Sequence, residues 1–315
     1  MKRIGNIYGQ IYSMENLLLA DAKARKGKKN KYGIHIHDRN KEANLLHLQD
    51  MLKSRTYKTS AYSTFKVYEP KEREVYRLPY FPDRIAHHAV MNVLEPIFRK
   101  VFTADTYSCI KGKGIHAAAN NIQEALENVP GTQYCLKLDI KKFYPNIDHD
   151  ILKTLLRRKF KDADLIWLLN EIIDSAPGVP IGNYLSQYFA NFYLTYFDHW
   201  IKEQIAVKYY FRYADDIVIL AGNKPYLHGL LHQIKQYLST KLNLSVKDNY
   251  QVFPVQARGI DVLGYVFRHT HVRIRKGIKQ NFARAMKDRK IRSIPSYLGW
   301  ALHADCKHLI KKLAA

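Results

Sequence analysis

The chain has 315 residues, 47% of them apolar, and its 51 Lys and Arg against 28 Asp and Glu leave a formal net charge of +23 with a pI near 9.7. A chain this long buries a substantial core and divides into lobes, and so large a positive surplus occupies broad surfaces of the kind that meet phosphates. Cys109, Cys135 and Cys306 are too few and too scattered for a disulfide framework or a zinc site, and neither a run of about 18 apolar residues nor a signal-peptide core is present, so a soluble cytoplasmic protein is expected.

From the amino end, Ile11, Met14, Leu17 and Leu18 recur at helical spacing, and a second helix follows Asp38 with Leu45, Leu48 and Leu52 on one side. Between them lies a basic loop, residues 23 to 31, that includes Lys26, Lys28 and Lys29. A lone lysine is adequately explained as part of a solvated face; a run this dense is expected to touch RNA or a partner. Tyr68 to Tyr80 reads as strand-rich, because Glu69-Pro70 and Leu78-Pro79 break any helix. Pro130-Gly131 punctuates the middle of the chain, and helices are expected at Asp150 to Lys159 and Leu227 to Leu242. After Arg273-Ile274-Arg275-Lys276 comes a basic helical stretch. A last helix then starts at Pro295-Ser296 and carries Leu298, Leu302, Cys306, Leu309 and Leu313 as an internal stripe.

Two segments carry acidic residues in matching settings. In Cys135-Leu136-Lys137-Leu138-Asp139-Ile140 strict alternation predicts a half-buried strand with Asp139 on the face opposite the leucines. Tyr209, Tyr210 and Phe211 before, and Ile217, Val218 and Ile219 after, make Tyr213-Ala214-Asp215-Asp216 the turn of a hairpin. An acidic turn alone is commonplace. Three carboxylates converging on one sheet repel one another unless divalent metal lies between them, and Mg²⁺ is characteristically held by one or two carboxylates plus substrate phosphates. The chemistry expected is two-metal phosphoryl transfer.

With these residues the chain resembles the reverse transcriptases, whose palm carries an aspartate strand and a Tyr-x-Asp-Asp hairpin in this order. Arg73 to Phe98 and Asp105 to Ala119 resemble the family's two fingers blocks, Asp139 to Asp148 its first catalytic block, Gly178 to Asn191 its nucleotide-pocket block, and Gly259 to Tyr265 its primer-grip region. The resemblance implies an α+β, right-hand polymerase fold. Fingers would span residues 1–130, a palm with an antiparallel sheet and the hairpin 131–270, and a helical thumb 271–315. It further implies RNA-directed DNA polymerisation from deoxynucleoside triphosphates with two Mg²⁺ ions. Asp139, Asp215 and, as a supporting group, Asp216 would be catalytic and metal-binding, with the Ile140 carbonyl completing one ion's shell. Arg73 and Arg77 would clasp the triphosphate, Arg84 pairing instead with Asp83. Tyr144 would gate the incoming sugar; Phe143 competes for that place, and the family register favours Tyr144. His87 and His88, neighbours on a helix with no further ligands at suitable spacing, are expected to be satisfied structural residues. Relatives place a lysine near 250 where this chain has Tyr250, and Lys247 is expected to face the other way along a strand.

One departure narrows the resemblance. Where most bacterial and retroviral relatives have Gln-Gly-x-x-x-Ser-Pro, this chain has Ile181-Gly182-Asn183-Tyr184-Leu185-Ser186-Gln187. Together with DRIAHHAV and GKGIHAA, that motif is similar to the reverse transcriptases of diversity-generating retroelements. Those enzymes copy a template-repeat RNA into cDNA with errors at template adenines. An isoleucine in place of a hydrogen-bonding glutamine discriminates by apolar contact alone, about 10 to 200-fold; Ile181 as a packed loop residue is the alternative. Ile181, Gly182 and Gln187 are thus nucleotide-pocket candidates, and Lys26, Lys28, Lys29, Arg273, Arg275 and Lys276 nucleic-acid contacts. Expected partners are template RNA, the cDNA or primer, and a small basic accessory protein, with no membrane; the protein would be bacterial, archaeal or phage-encoded. RNase H, endonuclease and integrase functions are expected from elsewhere. A retron, group II intron-like or antiphage-defence enzyme is the alternative, and a silent RNA-binding scaffold a more distant one.

Overall fold

A computed structural model describes residues 2–28, 31–68 and 72–314. The first elements are α1 (Tyr8–Ile11), α2 (Met14–Ala24), α3 (Tyr32–Arg39), α4 (Lys41–Lys53), β1 (Ser63–Val67), β2 (Arg73–Arg77), α5 (Ile85–Val101) and α6 (Ile115–Leu126). There follow β3 (Tyr134–Asp139), α7 (His149–Lys159), α8 (Ala163–Ile173), α9 (Tyr184–Tyr193), α10 (Thr195–His199), β4 (Tyr209–Tyr213), β5 (Asp216–Ala221) and α11 (Lys224–Leu242). The last are β6 (Gln251–Pro254), α12 (Val255–Arg258), β7 (Ile260–Val262), β8 (Tyr265–Phe267), β9 (Val272–Ile274), α13 (Lys276–Lys287), α14 (Ile294–Ala301) and α15 (Lys307–Ala314). Among the described residues no helix is long and apolar enough to cross a membrane. Cys109, Cys135 and Cys306 are all free thiols.

The chain forms two compact units that interleave along the sequence. One comprises residues 1–102, 142–196 and 241–244; the other comprises 103–141, 197–240 and 245–315. The first is mainly helical. Its helix α5 buries Ala89, Val90, Leu94 and Phe98, and the Phe98 ring meets Phe160, Tyr188 and Phe192 with centroids 5.2 to 6.1 Å away. Side-chain oxygens start three of its helices: Ser13 accepts from the amide of Asn16 at α2, Asp148 from those of Asp150 and Ile151 at α7, and Asp162 from Leu165 at α8. The helices α2, α3 and α4 meet around the fully buried Asp21, which accepts the Tyr80 hydroxyl at 2.5 Å, Arg25 at 2.7 Å and Lys41 at 2.9 Å. The only sheet described in this unit is the antiparallel pair β1 and β2, with Val67 opposite Arg73.

The second unit is built on an antiparallel sheet of order β4-β5-β3-β6. Alternation divides its side chains between two faces. Cys135, Phe211, Val218, Leu220 and Phe253 share one core with Ala118, Ala119 and Ile122 of α6 and with Tyr265, Phe267 and Val272 of a second, three-stranded sheet of order β7-β8-β9. The hairpin β7–β8 turns through Leu263 (φ 55°) and Gly264 (φ 84°), both left-handed as a type I′ turn requires. A Cβ at Gly264 would lie 2.4 Å from the Trp300 ring, which makes glycine obligatory there.

The helices expected from Asp38, at 150–159 and at 227–242 are present, and of the strand-rich stretch expected from Tyr68 to Tyr80 the strand β2 covers Arg73–Arg77, with β1 (Ser63–Val67) an additional strand before it. The carboxyl-terminal helix expected from Pro295 is not continuous. It breaks between α14 and α15 because Asp305 turns away to bond β9: its amide donates to the Val272 carbonyl (2.8 Å), and its carboxylate accepts from the Val272 amide (2.7 Å). Leu302, placed in the internal stripe, is therefore 80% exposed.

Candidate active site

The strand β3 ends at Asp139, which is paired directly with Asp216 of β5 across the sheet. Asp216 in turn pairs with Tyr213 of β4, leaving Ala214 and Asp215 as a two-residue turn. Ala214 holds a φ of 54°, the left-handed value that tight hairpins need at their first central residue. The Asp215 carbonyl accepts the Ile140 amide at 3.3 Å, which ties the turn to the strand carrying Asp139. Asp139 and Asp216 share the sheet face that carries Cys135 and Lys137, opposite Leu136 and Leu138, as the alternation predicts.

The electrostatics follow from this crowding. Burial, then the Asp139 charge, pushes the Asp215 carboxyl up to about 6. Burial and Asp139 also raise Asp216, against the opposing fields of Lys137, Lys247 and Arg275. Lys247 is 2.5 Å from Asp139 Oδ2, correcting the expectation that it faces away. The reason is local: Val246 forms an isolated bridge with Ile140 and the chain turns immediately afterwards, so the side-chain alternation of a continuous strand does not apply. The aligned Tyr250 instead lies under Lys235, 4.0 Å from its ring centroid. Arg275 is ion-paired with Asp261 at 2.6 Å, and Lys137 donates to the Asp261 carbonyl at 2.5 Å. Arg273 and Lys276 are exposed.

These donors fit a divalent cation. Asp139 Oδ1 is buried with no hydrogen-bond partner, and the two raised carboxyls mark negative charge that a cation would relieve. Among the described residues no three His, Cys, Asp or Glu side chains close into a ready-made metal cage. An open set of this kind suits an ion whose shell is completed by water and phosphate.

The remaining candidates belong to the first unit. Arg73 and Arg77 lie on β2, both exposed and four residues apart along the strand, hence on the same side. The Ile181 carbonyl accepts the Tyr76 amide at 2.8 Å, which holds the pocket loop against β2. Gly182 has φ 125°, and a Cβ there would sit 2.3 Å from the Tyr76 carbonyl oxygen; only glycine permits the seam. Gln187 is exposed on α9. Phe143 is buried and Tyr144 half-buried, their rings edge to face at 5.5 Å, and the Tyr144 carbonyl accepts the Val179 amide at 2.9 Å. Arg77 and Gly182 line a cavity of about 750 Å³ together with Lys28, Tyr32, Phe65 and Arg84. Lys26 is exposed, and Lys29 lies outside the described residues.

Two expectations need correction here. Asp83 does not pair with Arg84: it is buried and accepts the Tyr57 hydroxyl (2.8 Å) and the Ser60 amide (3.1 Å). His87 is structural but not satisfied. It is buried with Nε2 unpartnered, and burial lowers its pKa to about 3, keeping the ring neutral. His88 stacks on Tyr184 at 4.9 Å. Sequence reasoning also missed Lys137, although its place two residues before Asp139 puts it on the same strand face, and it missed Arg212, a charged residue inside an aromatic strand.

The profile of the family described as reverse transcriptase (RNA-dependent DNA polymerase) matches residues 69–267, well over half of the chain and all three carboxylates. The chain belongs to the reverse transcriptases. It is an RNA-directed DNA polymerase of the right-hand fold, and the family's chemistry uses deoxynucleoside triphosphates and divalent metal. Among similar proteins, YkfC of Escherichia coli is 23% identical over 272 residues, covering 70% of this chain and 71% of that protein. The group II intron-encoded protein LtrA of Lactococcus lactis is 21% identical over 264 residues, 61% of this chain but only 44% of LtrA. A telomerase structure from Candida albicans superimposes with a TM-score of 0.53 at 11% identity, over 75% of this reverse transcriptase and 52% of the telomerase chain.

Proposed function

We propose that this reverse transcriptase is of the diversity-generating type, copying a template-repeat RNA into cDNA with errors directed to template adenines, and that Asp139, Asp215 and Asp216 are its catalytic carboxylates. The observation that carries the site is the pairing of Asp139 with Asp216 beside the Asp215 turn, with one Asp139 oxygen buried and unpartnered. The subfamily rests on Ile181 and on the Ser186-Gln187 ending of the pocket motif.

Asp139, Asp215 and the Ile140 carbonyl, supported by Asp216, would hold two Mg²⁺ ions. When bound, such ions lower the pKa of the attacking hydroxyl and neutralise the leaving pyrophosphate. The protein's own contributions are positional. Arg73 and Arg77 present guanidinium forks that match phosphate oxygens. Tyr144 offers a half-buried ring that a ribose 2′-hydroxyl would strike. Ile181 presents apolar surface, held in place through its carbonyl by Tyr76. Lys26, Lys28, Lys29, Arg273 and Lys276 would track phosphate, whereas the ion pair to Asp261 ties Arg275 to shaping the field at Asp216. The fingers, palm and thumb would occupy residues 1–130, 131–270 and 271–315. Template RNA, primer and a small basic accessory protein would be the partners, in a bacterial, archaeal or phage-infected cytoplasm.

Primer extension on an RNA template with Mg²⁺, followed by cDNA sequencing, tests this reading. Errors concentrated opposite adenine support it. Uniformly accurate cDNA favours an intron-type enzyme, a second reading supported by the likeness to LtrA. Asp215→Asn abolishes extension while RNA binding persists if the carboxylates are catalytic; a variant that still polymerises removes that assignment.

A further inference from the structure

Behind the hairpin, on the sheet face opposite Asp139 and Asp216, lies a charged cluster that the chemistry above does not use. Arg212 of β4 and Asp198 of α10 are both completely buried. The guanidinium grips the carboxylate twice, Nε to Oδ1 at 2.7 Å and Nη2 to Oδ2 at 2.6 Å. The Tyr210 hydroxyl (2.6 Å) and the Thr106 hydroxyl (3.1 Å) also donate to Asp198, so each of its oxygens accepts two hydrogen bonds. The remaining guanidinium nitrogen, Nη1, donates to the Ala214 carbonyl at 3.0 Å.

We infer that Arg212, clamped by Asp198, is a positioning residue that fixes the Ala214-Asp215 turn and thereby the placement of the hairpin carboxylates. Three observations converge. Ala214 is held at φ 54°, a conformation costly for any residue with a Cβ, and the hydrogen bond from Arg212 lands on that residue's carbonyl. The next carbonyl, of Asp215, is held from the other side by the Ile140 amide, so successive peptide groups of the turn are pinned by β4 and by β3. Finally, Arg212 cannot shift as a unit with its strand. Its amide donates to the Asp105 carbonyl (3.0 Å) and its carbonyl accepts the Tyr107 amide (3.1 Å), which covers the sheet edge at β4. A buried ion pair gives little net stability over a well-packed apolar pair. What this one provides that an apolar pair could not is the third hydrogen bond, and only a planar fork reaches the carboxylate and a carbonyl at once.

The inference rests on Asp215 and Asp216 being the catalytic carboxylates, so Asp215→Asn is measured beside it. Arg212→Lys keeps the charge and loses the fork. Arg212→Met combined with Asp198→Leu removes both charges, leaves none buried and unpaired, and keeps the test readable if the lysine variant does not fold. Two readouts are taken: Mn²⁺ binding by electron paramagnetic resonance without substrate, and single-nucleotide extension at saturating template and primer. A positioning role weakens Mn²⁺ binding and lowers kcat by about 10 to 100-fold, as loss of groups that orient metal ligands does, while the KM for the nucleotide and RNA affinity stay near those of the native enzyme. Native Mn²⁺ binding and kcat in a folded variant, with Asp215→Asn inactive, overturn the inference alone. An active Asp215→Asn removes the reading beneath it as well.

Discussion

Asp215 is a carboxylate whose charge burial and the neighbouring Asp139 disfavour, and the sign of the effect is testable. Its folded-state pKa of about 6 lies above that of an unfolded carboxyl, about 3.9. The folded protein therefore binds an extra proton between those values, and without metal its stability falls as pH rises from about 4 through 6. Asp215→Asn should accordingly melt higher than the native protein in EDTA at pH 7.5, by about 1 to 2 kcal/mol after allowance for partial exposure, with the difference vanishing near pH 4. Equal melting at both pH values contradicts this. Gly182 gives a second expectation: alanine there meets the Tyr76 carbonyl and a left-handed backbone, costing about 1 to 3 kcal/mol in urea unfolding. The carboxylates were legible in sequence because alternation and turn chemistry are local signals. The facing of Lys247 is not legible because an isolated bridge and a strand look alike in sequence, and Arg212 gives no signal because its partner, Asp198, lies on a helix that no periodicity links to it.

Among elements, the junction of α2, α3 and α4 depends on Asp21. Burial pushes this carboxyl's pKa up, but the hydrogen bonds of Tyr80, Arg25 and Lys41 outweigh burial and hold it below the usual range. The network thus stabilises the protein above the unfolded carboxyl pKa and is lost as pH falls through the lower, folded value. Asp21→Ala, which strands these donors around an empty site, is expected to cost about 3 kcal/mol or more at pH 7, and the gap to the native protein should narrow in acid; a pH-independent difference in chemical denaturation refutes the charge network as its cause. The helices from Asp38 and at 150–159 and 227–242 were readable because apolar spacing and capping act within a few residues. The break between α14 and α15 was not, since Asp305 is drawn to Val272, 33 positions earlier.

The charge of +23 belongs to the molecule as a whole, and its signature is salt dependence. With about five phosphates neutralised on single-stranded RNA, raising salt from about 50 to 200 mM should weaken binding about 100-fold; a flat response in a filter-binding or anisotropy titration means that the basic surfaces do not carry the affinity. The interleaving of the two units has a different consequence, for synthesis. Residues 241–244 complete the first unit, whose opening segment is residues 1–102, and the second resumes at 245. A ribosome that has released only the amino-terminal half has therefore delivered neither unit whole. The apolar face of α5 around Phe98 packs on Phe160, Tyr188 and Phe192, so it stays uncovered during synthesis until residues 142–196 have emerged, and folding of the first unit waits on a segment made after part of the second.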